Sequence, residues 1–278
     1  MIRNRPLTLV LLGLGLAYLV APLVIVVVNS FNDSGYGGWP PPGWSLRWYR
    51  RLAEQDGFLQ AAMVSTVVAA LAALAAVLAG MAAAVSVTRF RYPGRRLVES
   101  LLLAPLVVPK VAVGLGAFIL FLQAGFYGND GALVALHLVL LLPFAVNILG
   151  GALVRIPIVY EQAARDLGAG PVRAFIAATL PQLRRSLVAA YLLCFMISFD
   201  EVDATVFVVA PGQTTLPVSM YQYLQRYQDP TLAALSTFLI GATFALVAVV
   251  MTTAGASALA GLQGGRGRTP RDARRRDR

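Results

Sequence analysis

Residues 161–183 read EQAARDLGAGPVRAFIAATLPQL, a polar-containing interval between two strongly apolar runs at residues 133–154 and 187–209. Glycine and proline at positions 168–171 predict a turn, because both residue types interrupt regular structure. The stretch therefore predicts a helix, a turn and a second helix that ends near Pro181. Two interpretations are open at this point: a DNA-binding helix-turn-helix, or a cytoplasmic docking segment held between two membrane spans.

The composition favours the membrane interpretation. Of the 278 residues, 58% are hydrophobic and 13% are charged, whereas a soluble domain has about 25% charged residues. Apolar runs of this length cross a hydrocarbon core of about 30 Å. We therefore predict an all-α membrane protein with one transmembrane domain over residues 1–260. Its six predicted transmembrane helices cover residues 7–28, 58–87, 97–122, 131–154, 186–209 and 231–258.

The basic residues predict the orientation of these spans. The N-terminus, residues 88–96, residues 155–186 and the tail hold 18 of the 23 lysines and arginines. Because basic loops stay in the cytoplasm, we expect both termini and the 155–185 loop to be cytoplasmic. The tail, residues 261–278, has no apolar face and is expected to be disordered. This distribution suits membrane orientation better than nucleic-acid binding, so no nucleic-acid partner is expected.

The sequence contains few residues that could carry chemistry. Cys194 and His137 are the chain's single cysteine and histidine, and both lie in apolar runs. A metal site built from several such ligands is therefore not expected. A phosphate-binding GxxxxGK[ST] motif is missing, so this chain is not expected to bind ATP by that route. We predict no catalytic residues, no metal and no cofactor bound by this chain.

Three acidic residues stand out within the apolar stretch SFDEVDATVFVV: Asp200, Glu201 and Asp203. Each ionised side chain near a bilayer centre costs at least about 2.5–3.5 kcal/mol. On a helix, Asp200 and Asp203 would share a face and Glu201 would point about 100° away. The acids could form a cation-attracting path, or a structural network with Lys110 or a partner's arginines, or they could lie at the edge of the helix. Lys110, inside the third predicted span, could also snorkel towards an interface.

The opening stretch resembles the EAA loop of permease subunits in binding-protein-dependent ABC importers. That pattern reads EAA, three residues, Gly, nine residues, Ile, any residue, Leu-Pro. The positions that match its spacing are Ala163, Ala164, Gly168, Leu180 and Pro181. Gln162 stands where the pattern has Glu, with Glu161 one residue earlier, and Ala178 replaces the Ile. The resemblance implies that this segment docks into an ATPase, with Glu161, Gln162 and Asp166 among the coupling residues.

Three further runs resemble the second permease of spermidine/putrescine-type importers: APLVVPKVAVGLG, SFDEVDATVFVVAPGQTTLPVSMY and DPTLAALST. The resemblance covers roughly residues 7–258. It implies the MetI-like fold of type I importers and a multi-pass location in the bacterial inner membrane. It also implies four kinds of partner: a homologous second permease, a cytoplasmic ATPase dimer that binds ATP and magnesium, a periplasmic or lipid-anchored solute-binding protein, and membrane lipid.

The expected function is passage of a small, polyamine-like solute, with Asp200, Glu201 and Asp203 along its path. The alternatives are another small solute, such as an amino acid, an opine or a phosphonate, and a non-transporting membrane scaffold. An intramembrane enzyme is disfavoured, because the acids that lie deep in a span cluster on a single predicted helix.

Overall fold

The computed structural model describes residues 5–36, 38–210, 212–245 and residue 248, and the elements in this part of the chain are helices. In chain order the helices are α1 (Arg5–Ser30), α2 (Arg47–Ala53), α3 (Asp56–Arg89), α4 (Arg95–Leu103), α5 (Lys110–Gln123), α6 (Asp130–Val154), α7 (Val159–Asp166), α8 (Pro171–Ala174), α9 (Leu180–Phe199), α10 (Thr205–Val208), α11 (Leu216–Arg226) and α12 (Thr231–Ala245). The chain divides into two units, residues 55–226 and residues 1–54 with 227–278.

Several helices are long and apolar enough to cross a membrane. In the described residues they are α1, α3, α6 and the continuous helix Pro171–Phe199, and the bent pair before α6 makes a fifth if it is one span. The first, second and fourth predicted spans match α1, α3 and α6 to within two residues at each end. Only the first part of the sixth predicted span, α12, lies within the described residues. The predicted basic tail lies outside them.

The third predicted span is broken. A 3₁₀ turn at Ala104–Leu106 follows α4, and the axis then bends by 102° before α5. Pro109 precedes α5 with an extended backbone, φ −54° and ψ 130°. Proline lacks the N–H that a continuous helix needs and disfavours the helical conformation of the residue before it. The proline at position 109 therefore accounts for the break between the two helices.

The larger unit is built around α3, α6 and α9. Small side chains make their close approach possible: Ala72, Ala73 and Ala76 of α3 are fully buried. A Cβ atom added at Gly80 would lie 2.6 Å from the Cβ of Ala145 on α6. Close packing between small residues is a common way for helices to associate in membranes.

The helix that follows the turn at residues 168–171 does not end where the sequence predicted. It runs without interruption from Pro171 to Phe199, with a π-helical turn at Phe175–Thr179. Pro181 lies in the first turn of α9, directly after the wider π turn, where a missing N–H is tolerated. The prediction of an end near Pro181 is therefore wrong, because the π turn accommodates the proline.

In the smaller unit, the indole of Trp48 connects α2 to the segment that follows α1. This side chain is buried, and its Nε1 donates a hydrogen bond to the carbonyl oxygen of Asn32 at 2.6 Å. The hydroxyls of Ser30 and Tyr49 lie 2.7 Å apart. These contacts hold α2 against the segment that follows α1.

Candidate functional site

The coupling loop, residues 155–185, has the predicted helix, turn and helix. Gly168 ends α7 with φ +91°, in the left-handed region. Its N–H donates to the carbonyl of Arg165 at 2.8 Å, and the N–H of Ala169 donates to the carbonyl of Ala164 at 3.1 Å. A glycine in this conformation is a common helix C-terminal cap. The local signals in the sequence therefore predicted the shape of the turn.

The tip of the coupling loop is an apolar surface with charges around it. Leu167 is 91% exposed and Val172 is 70% exposed. Both residues lie outside the predicted spans, where exposed apolar side chains are typical of a surface that another protein covers. The remaining predicted coupling residues divide by burial: Gln162, Ala163, Asp166, Gly168 and Pro181 are exposed, whereas Ala164 and Leu180 are half-buried.

Glu161 is turned inwards. Its side chain is 7% exposed, and its Oε1 accepts a hydrogen bond from the hydroxyl of Thr179 at 2.7 Å. The Nη2 of Arg89, at the end of α3, lies 3.5 Å from the same oxygen and donates to the carbonyl of Ile156 at 3.0 Å. The observed partners of Glu161, Thr179 and Arg89, thus lie within the chain.

The acidic cluster lies where α9 stops. The helix ends at Phe199, and residues 200–204 are not helical, so the prediction that Asp200 and Asp203 share one face of a continuous helix is wrong. The structure instead fits the interpretation in which the acids lie at the edge of the helix. Asp200 and Asp203 are exposed, and Glu201 is buried. The Oε1 of Glu201 accepts the N–H of Ala204 at 3.1 Å, a local bond that competes with the helical pattern.

Lys110 pairs with the buried acid. Its Nζ donates to the Oε2 of Glu201 at 2.7 Å, with the lysine side chain 46% exposed and the glutamate side chain 2% exposed. Lys110 is the first residue of α5, directly after the bend. The ion pair therefore ties the bend of the third predicted span to the break that follows α9.

His137 lies next to this break and is fully enclosed. Its Nδ1 is 2.6 Å from the hydroxyl of Ser198 on α9, and its Nε2 is 2.9 Å from the hydroxyl of Thr205 on α10. Both ring nitrogens are thus hydrogen-bonded, and the ring connects the two helices on either side of the break. Among the described residues, no three His, Cys, Asp or Glu side chains are grouped as metal ligands.

We expect Gly114→Ala to destabilise this region and Gly116→Ala to leave it unchanged. A Cβ at Gly114 would lie 2.6 Å from the carbonyl oxygen of Ala204, whereas a Cβ at Gly116 meets nothing within 4 Å. Backbone must move to relieve the first clash, at a cost of about 1–3 kcal/mol. Thermal unfolding of the purified protein measures the difference, and equal midpoints for the two variants would contradict the packing.

A cavity of about 510 Å³ lies at the opposite end of α3 from Arg89. Amide, hydroxyl and phenol side chains line much of it: Gln60, Tyr127, Gln213, Thr214, Ser219 and Gln222. The orientation predicted from the basic residues places this cavity on the extracytoplasmic side. Local sequence patterns do not reveal this cavity, because its walls come from segments far apart in the chain, among them α3 and α11.

The sequence did not identify two residues that contact Glu161, namely Arg89 and Thr179. Arg89 is one of four arginines in the basic loop that follows the second predicted span, and Thr179 lies in an apolar part of the helix. Neither position has a motif that sets it apart. Their role depends on the contact between α3, α7 and the π turn.

Comparison with known proteins identifies close relatives. The sequence profile of the family described as "Binding-protein-dependent transport system inner membrane component" matches residues 75–260. The chain is 34% identical to the putrescine transport system permease protein PotI of Escherichia coli K12 over 247 residues, 86% of this chain and 87% of that protein. It is 31% identical to the spermidine/putrescine transport system permease protein PotC of the same strain over 232 residues, 83% of this chain and 87% of that protein.

A solved structure has a similar fold. It is the crystal structure of a bacterial ABC transporter involved in the import of the acidic polysaccharide alginate. The TM-score is 0.67 with 14% sequence identity, and the similarity covers 90% of this chain and 94% of that chain. The similarity supports the architecture and leaves the solute open.

Proposed function

The chain belongs to the family of inner membrane components of binding-protein-dependent transport systems, and on that premise we propose that it carries a polyamine-like solute into the cell. As a family member it is a permease subunit of an ABC importer and lies in the inner membrane. In this proposal ATP and magnesium bind to a separate ATPase dimer. A homologous second permease completes the pore, and a periplasmic or lipid-anchored binding protein delivers the solute.

The proposal that the solute is polyamine-like rests on the exposed carboxylates of Asp200 and Asp203. They lie between apolar segments, and Glu201 beside them is already paired with Lys110. Among the residues that the structure describes, no cation pairs with Asp200 or Asp203. Both can therefore attract ammonium groups, because opposite charges interact strongly where water is limited. The names of the two relatives, a putrescine and a spermidine/putrescine permease, support the same class of solute.

The coupling loop is the proposed contact with the ATPase. Its apolar tip at Leu167 and Val172 suits a helix-in-groove mode of docking. The exposed charges of the loop are five arginines and one acid: Arg155, Arg165, Asp166, Arg173, Arg184 and Arg185. We infer that the receiving cleft on the ATPase is apolar at its centre and acidic at its rim.

The proposed function is tested by reconstituting the chain with the second permease, the ATPase dimer and the binding protein in liposomes. ATP-dependent accumulation of labelled putrescine is the expected result. Accumulation of an amino acid or a phosphonate in place of putrescine would mean that the chain belongs to an importer but that the proposed solute is wrong. If no solute is taken up and the ATPase does not associate, the chain is a scaffold and the proposal fails.

We expect Asp200→Asn combined with Asp203→Asn to raise the half-saturating putrescine concentration about tenfold, as expected for the loss of about 1.4 kcal/mol of attraction. Glu99→Gln, which removes an exposed carboxylate on α4, is the matched control and should leave uptake unchanged. Concentration-dependent uptake in the same liposomes measures the effect. Uptake by the double variant that equals wild-type uptake would exclude these acids from the solute path.

A further inference from the structure

One carboxylate oxygen joins three separate segments of the chain. Glu161 belongs to α7, Thr179 to the π turn that follows α8, and Arg89 to the end of α3. The Oε1 of Glu161 accepts the Thr179 hydroxyl at 2.7 Å and lies 3.5 Å from the Nη2 of Arg89. Arg89 also donates to the carbonyl of Ile156, just before α7, at 3.0 Å. Both helices of the coupling loop are thereby connected to α3.

Burial makes these contacts difficult to separate. The side chain of Arg89 is 13% exposed and that of Glu161 is 7% exposed. A surface ion pair exchanges its partner for water at little cost, whereas a buried charge that loses its partner remains uncompensated. The Nε of Arg89 is itself buried without a hydrogen-bond partner among the described residues, so the contacts of its Nη2 hold this guanidinium in place. The loop and the end of α3 are therefore expected to move together.

Gln162 has the opposite environment. It follows Glu161 directly, so its side chain points about 100° away around α7, and it is exposed. It also occupies the position at which the EAA pattern has its acid. The position that faces outward thus carries a neutral amide, and the acid beside it faces inward.

We propose that Glu161 is a positioning residue that fastens the coupling loop to the end of α3 through Arg89 and Thr179, and that Gln162 is the residue of this pair that faces the ATPase. The proposal rests on the proposed docking of the loop. A displacement of the docked loop is passed to α3 as a rigid-body movement. Because α3 packs along α6 and α9 and lines the cavity at its far end, the movement reaches the extracytoplasmic side.

The test is a double-mutant cycle in the complete reconstituted transporter, using Glu161→Gln, Arg89→Gln and the two together. We expect each single variant to retain the ATPase on purification. The rate of ATP hydrolysis stimulated by the loaded binding protein should fall about tenfold, which is within the range typical of coupling between sites. The double variant should be no worse than the more affected single variant, because both changes remove the same interaction. Additive losses would contradict the proposal.

Two matched controls separate positioning from docking. Thr179→Val removes the hydroxyl that donates a hydrogen bond to Glu161, so it should reduce the ATP hydrolysis stimulated by the loaded binding protein. Thr179→Ser keeps the hydroxyl and should keep that activity at the wild-type level. Gln162→Ala should weaken retention of the ATPase, because it alters the exposed face of α7. If Glu161→Gln releases the ATPase and Arg89→Gln does not, Glu161 faces the ATPase and the proposal is overturned.

Cysteine accessibility tests the same geometry without requiring coupling. In membranes that contain the permease without its ATPase, Gln162→Cys should react with a maleimide and Glu161→Cys should not, against a background in which Cys194 is buried. Equal reaction at both positions would overturn the inward orientation of Glu161. If wild-type permease does not retain an ATPase, the proposed function fails. The labelling pattern still decides whether Glu161 points inwards to Arg89 and Thr179.

Discussion

Gly168→Val is expected to abolish ATP-coupled uptake, whereas Gly170→Ser, two residues along the same turn, leaves it unchanged. Gly168 has φ +91°, and a Cβ at this position would meet nothing within 4 Å. The cost of a substitution therefore comes from the backbone conformation and not from crowding. A β-branched residue in the left-handed region is strained by about 1–3 kcal/mol. Relief of the strain would break the hydrogen bonds that the N–H groups of Gly168 and Ala169 make with α7.

Gly170 supplies the control. It has φ −65° and ψ 165°, which any residue adopts, and it is the N-cap of α8, where serine is favoured. Retention of the ATPase and ATP hydrolysis stimulated by the binding protein measure both variants. Gly168→Asn should fall between them, because asparagine tolerates the left-handed region better than valine. Wild-type coupling in Gly168→Val would show that the ATPase does not depend on this turn.

The coupling loop shows which features local sequence rules predict. Its turn depends on Gly168 and Pro171, whose effects on the backbone do not depend on neighbours far along the chain. The direction of Glu161 does depend on them. A shift of one residue rotates a side chain by about 100°, and the inward direction is favoured only because Arg89 and Thr179 are there to receive the carboxylate.

In the membrane spans, too, local sequence predicts some features, whereas others depend on contacts with distant parts of the chain. Apolar length predicted α1, α3 and α6, because the requirement to cross a bilayer acts on each segment separately. The end of α9 at Phe199 was one of several alternatives that the sequence left open, since it accompanies the bonds of Glu201 to Ala204 and to Lys110. The apolar run itself continues to residue 209 and does not mark the position at which the helix stops. Pro109 favours the bend before Lys110, but a proline by itself does not specify the 102° angle.

Lys110→Met is expected to lower the stability of the protein by about 3–5 kcal/mol, the cost of removing one partner from a buried ion pair. The reason is an asymmetry in exposure. Glu201 is 2% exposed and stays enclosed when the ammonium is lost, whereas Lys110 is 46% exposed and is not enclosed by this chain when the carboxylate is lost. Glu201→Gln should therefore cost only about 1 kcal/mol, the value of a hydrogen bond, because its amide oxygen still accepts the N–H of Ala204.

The combined variant Lys110→Met/Glu201→Gln decides between this account and a simple loss of packing. It contains no uncompensated charge, so it should be nearly as stable as Glu201→Gln alone and clearly more stable than Lys110→Met. Asp203→Asn, an exposed neighbour, is the control and should not change the unfolding midpoint. Thermal unfolding of the purified protein measures all four. A double variant as unstable as Lys110→Met would mean that the lysine stem, and not its charge, stabilises the break after α9.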